Sequence, residues 1–262
     1  MRPHKPSGHA HSRPSQQADR DVVQLYGIHA VEAAIRNPAR RIGRLLLTDN
    51  AEHRLEAALA VHGARAQRTQ PRDLDRLLGP DTVHQGALLE TEALPEPTLG
   101  ELAQAAGNGG PLVVLDQVTD PHNVGAILRS AAVFAASGLV MTRRHSPPLS
   151  GALAKSASGA LEHVPVALVP NLAQALGALG DLGVIRIGLD GDADAHIEEE
   201  RLTDATALVL GAEGKGLRRL TRDLCDRLCR IGTAGGGMAS LNVSTAAAIA
   251  LHMAALQRRA DK

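Results

Sequence analysis

A glycine-rich loop and the run after it, near the carboxyl end of the chain, contain residue types suited to holding a ligand. The glycines at 235–237 permit backbone turns that other residues resist, and they let a ligand approach the main chain. Ser240 and Asn242 come next, and both residue types cap helices well. The apolar run at 245–256 predicts a helix, whose first turn offers free N–H groups. Many α/β proteins have such a loop, so a purely structural role stays open.

Two further polar stretches each follow an apolar run that reads as a strand. In the first, Asn123 lies near the start of a predicted helix, and Arg129 follows among alanine, isoleucine and leucine residues. Such an arginine either forms an ion pair in the core or binds a phosphate with its planar guanidinium. In the second, Glu213 stands among glycines, where it either caps the next helix or orients a substrate hydroxyl. This stretch lacks the spacing of a P-loop or of a dinucleotide-binding loop.

The order of the predicted elements indicates the kind of sheet that the three stretches belong to. From residue 111 to 262, helical patterns alternate with strands, which are predicted at 112–118, 138–142, 164–169, 184–188, 207–211 and 228–231. Alternation of this kind predicts a mostly parallel sheet with helices on both faces, and ligands bind such sheets at the carboxyl ends of the strands. Residues 22–92 have their own strand and helix pattern and predict a smaller α/β domain. The segment 93–110, with proline and glycine at its ends, is predicted to be the linker.

The composition narrows the possible partners. Lysine and arginine together number 28, as do aspartate and glutamate, so any nucleic-acid contact must come from a local basic patch. Aromatic residues make up only 1% of the chain, which disfavours a base-stacking platform. The chain has no apolar run of the roughly 18 residues that a membrane span needs, and no secretion signal. We therefore expect a soluble, cytoplasmic protein with no membrane contact.

Basic residues cluster in two places. Residues 1–20 are polar and rich in proline, histidine and serine, so we expect a disordered basic arm that is either a solvated tail or an RNA contact. Arg36, Arg40, Arg41 and Arg44 lie between the first helix and the next strand of the smaller domain. They either bind RNA phosphates or form ordinary solvated surface.

The only two cysteines, Cys225 and Cys229, lie close together at the end of a predicted helix. No further ligands follow at the spacing of a zinc site, so we predict no metal. We interpret both cysteines as small buried hydrophobic side chains.

Together and in this order, the three polar stretches resemble the SpoU-type (TrmH-like, SPOUT) family of RNA ribose 2′-O-methyltransferases. The matching pieces are Asn123 with Arg129, Gly211 with Glu213 and Gly214, the run 240–244, and the run 158–165. The resemblance covers about 112–258. Tyr26 with its neighbours, together with the run 84–86, is similar to the substrate-binding domain of the RlmB-like branch, which methylates a guanosine of 23S ribosomal RNA.

The resemblance implies a trefoil knot in the larger domain, with S-adenosylmethionine held by backbone groups of the knot. It implies that the donor pocket is formed by Gly211, Gly214, Ile231, Ser240 and Leu241. It also implies a homodimer, with part of each site coming from the partner. The chain departs from the family pattern at 232–233, where the family usually has a proline, and its loop to Ser240 is one glycine longer.

The activity implied by the resemblance is methyl transfer from S-adenosylmethionine to a ribose 2′-hydroxyl of RNA. The catalytic residues carried over by motif are Asn123, Arg129, Glu213, Ser240 and Asn242. An arginine side chain keeps its proton in proteins, so we expect Arg129 to bind phosphate and orient the hydroxyl rather than to act as the base. Two alternatives stay open: a transfer-RNA 2′-O-methyltransferase, and a non-catalytic RNA-binding dimer.

Overall fold

The computed structural model describes residues 22–202, 205–233 and 241–261, and these form two α/β domains. The expected basic arm at 1–20, the glycines at 235–237 and Ser240 lie outside the described residues. Both domains confirm the α/β class predicted from the sequence. The knot implied by the resemblance stays a prediction.

The smaller domain is a sheet of four strands covered by helices. Its elements are β1 (Val22–Tyr26), α1 (Ile28–Arg36), β2 (Ile42–Leu47), α2 (Asp49–His62), β3 (Gln67–Arg68), α3 (Pro71–Leu78) and β4 (Ala87–Glu92). The strand order is β1-β4-β2-β3, and β4 runs antiparallel to both of its neighbours. Helix α1 is amphipathic and buries Val31, Ala34 and Ile35 in the core.

The larger domain is a parallel sheet of seven strands with the order β7-β6-β5-β10-β8-β11-β9. Its strands are β5 (Leu112–Asp116), β6 (Gly138–Thr142), β7 (Val166–Val169), β8 (Ile185–Leu189), β9 (Ala195–His196), β10 (Thr206–Gly211) and β11 (Arg227–Arg230). Its helices are α4 (Leu99–Asn108), α5 (Pro121–Val133), α6 (Gly151–Ala157), α7 (Leu172–Asp181), α8 (Arg219–Asp223) and α9 (Val243–Ala260).

The central strand β5 is buried on both faces, as its uninterrupted apolar run predicts. Val113 and Leu115 join one core cluster with α5 and α9, whereas Leu112 and Val114 join a second cluster with α4 and α7. Successive side chains of a strand point to opposite faces, so helices on both sides are needed to cover it. In the register of β10 on β5, Gly211 lies opposite Asp116, so the loops after these two strands leave the sheet side by side.

Helix α4 changes the boundary expected between the domains. Thr98 caps it through a reciprocal capping box, in which its hydroxyl accepts from the Glu101 N–H at 3.2 Å and the Glu101 carboxylate accepts from the Thr98 N–H at 2.7 Å. Its buried Leu102 and Ala106 pack in the second core cluster of the larger domain. By packing, α4 belongs to that domain, and only 93–98 connects the domains without regular structure, a shorter stretch than the linker expected at 93–110.

The two domains share an apolar and ionic interface. The Arg40 guanidinium lies 2.8 Å from the Glu162 carboxylate, and their side chains are only 2% and 3% exposed. Asn37 donates to the same carboxylate at 2.8 Å, and Arg40 also donates to the Glu92 carbonyl at 2.9 Å. Both sequence interpretations of Arg40 are therefore wrong, because it is a buried ion-pair partner across the domains. The other three arginines of that cluster are exposed.

The cysteines are only partly as expected. Cys229 is buried on β11, not on a helix, and Cys225 is half-buried just after α8. Burial raises the pKa of the Cys225 thiol to about 12 and that of Cys229 to about 11, so both stay protonated at neutral pH. Among the described residues, no group of three acidic, cysteine or histidine side chains could hold a metal ion, and no helix is long and apolar enough to cross a membrane.

Candidate functional site

Asn123, Glu213 and Asn242 form a triangle of hydrogen bonds at the carboxyl edge of the larger sheet. The Asn123 amide donates to the Glu213 carboxylate at 3.2 Å. The Asn242 amide donates to the Asn123 side-chain oxygen at 3.1 Å and to the other Glu213 oxygen at 3.2 Å. The three side chains come from the three separate polar stretches, so the fold brings together one residue of each. We refer to them as the amide–carboxylate triangle.

Two helix starts orient the amides of the triangle. Helix α5 is capped by Asp120, whose carboxylate accepts from the His122 N–H at 2.9 Å, and Asn123 lies in the first turn. Asn242 itself caps α9, because its side-chain oxygen accepts from the Ser244 N–H at 2.8 Å. With that oxygen used by the cap, the Asn242 NH₂ group points to the other two members. One residue thus caps the start of a helix and completes the site.

Glycines shape the loop that presents Glu213. A Cβ at Gly211 would clash with the backbone of Gly216, so the chain can fold back on itself only without a side chain there. Gly214 and Gly216 have φ angles of +73° and +64°, in the left-handed region that favours glycine. Helix α8 starts later, at an Arg218 cap without a side-chain hydrogen bond, so the interpretation of Glu213 as a helix cap is wrong.

A buried carboxylate also holds the loop that presents Glu213. Sequence reasoning did not identify it. Asp116, at the end of β5, is fully buried. Its two oxygens accept from the Arg218 N–H at 3.0 Å and from the Arg218 guanidinium at 2.7 Å. A buried carboxylate needs such compensation. The sequence signal for Asp116 was an acidic residue at the end of an uninterrupted apolar run. A charged side chain is unusual in a strand that is covered on both faces.

A cleft of about 330 Å³ opens beside the triangle. Its lining comes from the loops after β5, β6 and β10, and consists of residues 117–120, Asn123, His145, Ala212, Glu213 and Lys215. Gln117 and His145 have φ angles of +58° and +64°, an uncommon conformation for residues other than glycine. Sequence reasoning assigned no role to Gln117, His145 and Lys215: Lys215 lies inside the second polar stretch, while Gln117 and His145 belong to no recognisable pattern.

Arg129 lies apart from the triangle. It is exposed on α5, and within the part of the chain that the structure describes it forms no ion pair and no hydrogen bond. The alternative of an ion pair in the core is therefore wrong. At about 100° per residue, the six positions from Asn123 carry Arg129 to a different side of the helix. Val133, one turn further on, is 75% exposed.

The residues expected to line the donor pocket lie where strands end and α9 begins. Gly211 ends β10, Gly214 is in the loop after it, and Ile231 follows β11. Leu241 precedes the cap of α9 and is 41% exposed. The Gly232 N–H donates to Glu198 at 2.9 Å, a bond that the proline usual at this position could not make. Glycine backbone next to the half-buried Ile231 and the exposed Leu241 fits a donor with a flat adenine ring and a polar chain. Ser240 lies outside the described residues.

Two family models match the chain. The model described as the SpoU rRNA Methylase family matches residues 110–252, and the one described as RNA 2′-O ribose methyltransferase substrate binding matches residues 24–97. The 23S rRNA (guanosine-2′-O-)-methyltransferase RlmB of Pseudomonas syringae is 36% identical over 248 residues, which cover 92% of this chain and 98% of the relative. RlmB of Ralstonia nicotianae is 40% identical over 238 residues, covering 89% and 95%.

Solved structures agree with this relationship. The SpoU methyltransferase AviRb from Streptomyces viridochromogenes, in complex with the cofactor AdoMet, matches with a TM-score of 0.74 at 25% identity, covering 90% of each chain. A putative RNA methyltransferase of the TrmH family from Porphyromonas gingivalis matches with a TM-score of 0.70 at 26% identity, covering 91% of this chain and 90% of the other. The chain belongs to the SpoU rRNA methylase family.

Proposed function

We propose that this protein transfers a methyl group from S-adenosylmethionine to the ribose 2′-hydroxyl of a guanosine in 23S ribosomal RNA, in the cytoplasm. The observation that carries the proposal is the amide–carboxylate triangle, which unites the three family motifs beside a cleft at the edge where parallel sheets bind ligands. Relatives with this activity align with nearly the whole chain, including its smaller domain.

The residues of the cleft position the reacting groups. When bound, S-adenosylmethionine supplies an electrophilic methyl group, and Gly211, Gly214, Ile231, Ser240 and Leu241 hold it. The triangle lies beside that pocket and orients the ribose, because Glu213 can accept from a hydroxyl while Asn123 and Asn242 hold the carboxylate in place. Alignment of this kind supplies much of the rate in a displacement reaction.

Arg129 binds an RNA phosphate and orients the hydroxyl, as the family motif implies. Its exposure, and its position on a different side of α5 from Asn123, fit a site that is completed across a homodimer, with Arg129 acting in the site of the partner subunit. A phosphate held by Arg129 is then placed to take the hydroxyl proton, a role for which arginine itself is unsuited.

The decisive experiment measures methyl transfer from labelled S-adenosylmethionine to unmodified 23S ribosomal RNA and maps the methylated ribose. We expect one methylated guanosine in 23S RNA and none in transfer RNA. Methylation of transfer RNA would support the first alternative function. RNA binding without transfer, by a protein that binds the donor, would support the second.

The Arg129→Ala variant tests the assignment of that side chain. We expect it to lose methyl transfer by at least about 100-fold, the scale for removing a charge-stabilising donor, while keeping its melting temperature and donor affinity. Arg129→Lys should recover little, because a point charge does not replace the planar fork. Near-normal turnover of the alanine variant would contradict the role, and a large fall in melting temperature would point to a structural one.

A further inference from the structure

A second concave surface lies in the smaller domain, separate from the cleft beside the triangle. It is a polar pocket of about 450 Å³. Its lining residues come from the starts of α2 and α3 and from the turn before β4, and include Thr48, Asp49, Asn50, Arg54, Gln70 and His84. We refer to it as the N-domain pocket. Nearly all of these side chains are polar, so the pocket suits a polar ligand.

The floor of the N-domain pocket is rigid. His84 is buried, its Nδ1 accepts from the Gly86 N–H at 3.0 Å, and its Nε2 therefore carries the hydrogen that faces Asp75 at 3.0 Å. The Thr48 N–H donates to the Gly86 carbonyl at 2.9 Å, and a side chain at Gly86 would clash with the Thr48 hydroxyl. These contacts hold the two sides of the pocket together before any ligand binds, which lowers the entropic cost of binding.

The rim of the pocket has polar groups that are free to bind. Asn50, Arg54 and Gln70 are exposed, and in the described parts of the chain their side chains make no hydrogen bond or ion pair. The one acid at the rim, Asp49, lies 3.5 Å from Arg68. Arg54 is therefore the cation that remains for a phosphate, and the two amides can each donate to and accept from the edge of a base.

A chain of neighbouring residues connects this pocket with Asn123 at the catalytic cleft of the same chain. A Cβ placed on Gly27 would lie 3.3 Å from the Gln85 side chain and 3.3 Å from Lys155 of α6, so the pocket borders the larger domain there. The next residue, Ser156, donates to the His122 carbonyl at 3.3 Å. His122 precedes Asn123 of the triangle. Lys155 makes no ion pair among the described residues, so a cation lies along this route.

We propose that the N-domain pocket binds one unpaired nucleotide of the RNA strand whose ribose enters the catalytic cleft. Arg54 holds its phosphate, and the amides of Asn50 and Gln70 contact the base edge. A concave pocket of this volume admits a splayed nucleotide but not a base-paired helix, and unpaired bases are the ones that proteins read by their edges. The inference rests on the proposed function, because it supplies the substrate contact that selects the RNA.

The test uses the full-length protein and two kinds of measurement. The variants are Arg54→Ala and Asn50→Ala, and the matched control is Arg65→Ala, an exposed arginine beyond the far end of α2. The probe for binding is a 23S ribosomal RNA transcript without donor, titrated over a range of salt concentrations. We expect each pocket variant to bind about tenfold more weakly, the scale of one good base or phosphate contact, and Arg65→Ala to bind like the wild type.

The salt dependence separates the two roles within the pocket. Arg54→Ala should lower the slope of log K against log salt by about one, because one phosphate contact is lost, whereas Asn50→Ala should leave the slope unchanged. In turnover assays both variants should raise the KM for RNA and keep kcat and donor affinity. A single-stranded oligonucleotide should compete for the pocket, and a duplex of the same sequence should not.

Several outcomes would overturn the proposal. They are unchanged affinity in both pocket variants, an equal loss in Arg65→Ala, or stronger competition by the duplex. A loss of kcat without a change in KM would equally contradict a binding role. Binding is measured without the donor, so the two proposals can fail separately. A wild-type protein that binds the RNA but never methylates it would refute the proposed function. The affinities of the pocket variants would still show whether the pocket binds RNA.

Discussion

Two polar clusters of this molecule join distant parts of the chain, and they differ in their access to water. The amide–carboxylate triangle joins Asn123 to Asn242 at an open cleft, and Glu213 is exposed. The buried ion pair joins Arg40 to Glu162 at the domain interface, with both side chains almost completely covered. Both use carboxylates held by two or more donors. Only the first leaves its carboxylate within reach of a ligand.

The comparison indicates that the buried ion pair fixes the geometry of the interface, whereas the triangle keeps a carboxylate available to a substrate. A buried ion pair with all donors satisfied fixes a geometry, because leaving either partner alone would be costly. A hydrogen-bonded carboxylate at an open edge costs little to maintain and keeps acceptor capacity for a substrate hydroxyl. We infer that the interface holds the two domains in one orientation, so that RNA bound to the smaller domain reaches the cleft at a fixed distance.

The largest expected effect is on the buried pair. Arg40→Ala leaves Glu162 buried without its partner, so the free energy of unfolding should fall by about 3–5 kcal/mol in chemical denaturation. Arg36→Ala is the matched control, since its pair with Glu32 is exposed and one helical turn apart, and it should cost no more than about 0.5 kcal/mol. Equal costs for the two variants would remove the structural role assigned to Arg40.

The second effect should appear in activity and not in stability. Asn242→Ser keeps an oxygen that can cap α9 but removes the amide that donates to Asn123 and Glu213. We expect methyl transfer to fall about 100-fold, the cost of misplacing a reacting group, with little change in melting temperature. Asn171→Ser, at the equivalent cap of α7 and outside the lining of the cleft, should keep full activity. Loss of stability without loss of turnover would contradict the distinction between the clusters.

A smaller effect tests the glycine loop. Gly214→Ala puts a Cβ on a residue with φ of +73°, so unfolding should become easier by about 1 kcal/mol. Gly63→Ala, at a φ of +68° after α2, should cost a similar amount because open space surrounds both sites. Only the Gly214 variant should weaken binding of S-adenosylmethionine, measured by calorimetry. Equal donor affinities would show that this glycine has no part in the pocket.

Sequence reasoning succeeded where a pattern is local. The uninterrupted apolar run of β5 and the capping residue before α9 predicted buried strands and a helix start, and the structure confirms both. It failed for Arg40, because its partner Glu162 is remote in the sequence and its burial depends on how two domains meet. The two-residue strands β3 and β9 are too short to produce any periodicity, so they were not predicted.

The candidate site shows the same limit. The motifs identified Asn123, Glu213 and Asn242, but only the fold shows that they bond to each other and that Arg129 does not join them. Asp116 was missed because the acid at the end of the apolar run was counted as part of the strand, and its partner Arg218 is remote in the sequence. Tertiary packing determined each of these contacts, and a single sequence carries little information about it.

The smallest expected effect is a change of stability with pH. It involves an ion pair that belongs to neither of the two clusters. Hydrogen bonds from Arg186 lower the pKa of Asp226, which accepts from the Arg186 guanidinium at 2.6 Å and from its backbone N–H at 2.7 Å. A carboxyl whose pKa is lower in the folded state stabilises the fold above its unfolded pKa. That stabilisation is present at neutral pH and is lost as the pH falls below about 4, through the folded pKa.

The Asp226→Asn variant tests this expectation. It also adds to the comparison an ion pair of intermediate exposure, between the buried pair and the open triangle. Because the Asp226 side chain is 40% exposed, solvent screening should limit the loss at pH 7 to about 1 kcal/mol or less. The difference from the wild type should shrink in denaturation curves taken progressively below pH 4. Asp81→Asn, an exposed aspartate without an ion pair in the described chain, should show no difference at either pH. A loss that persists unchanged at low pH would mean that the charge of Asp226 does not stabilise the fold, and that the pair packs β8 against β11 through neutral hydrogen bonds alone.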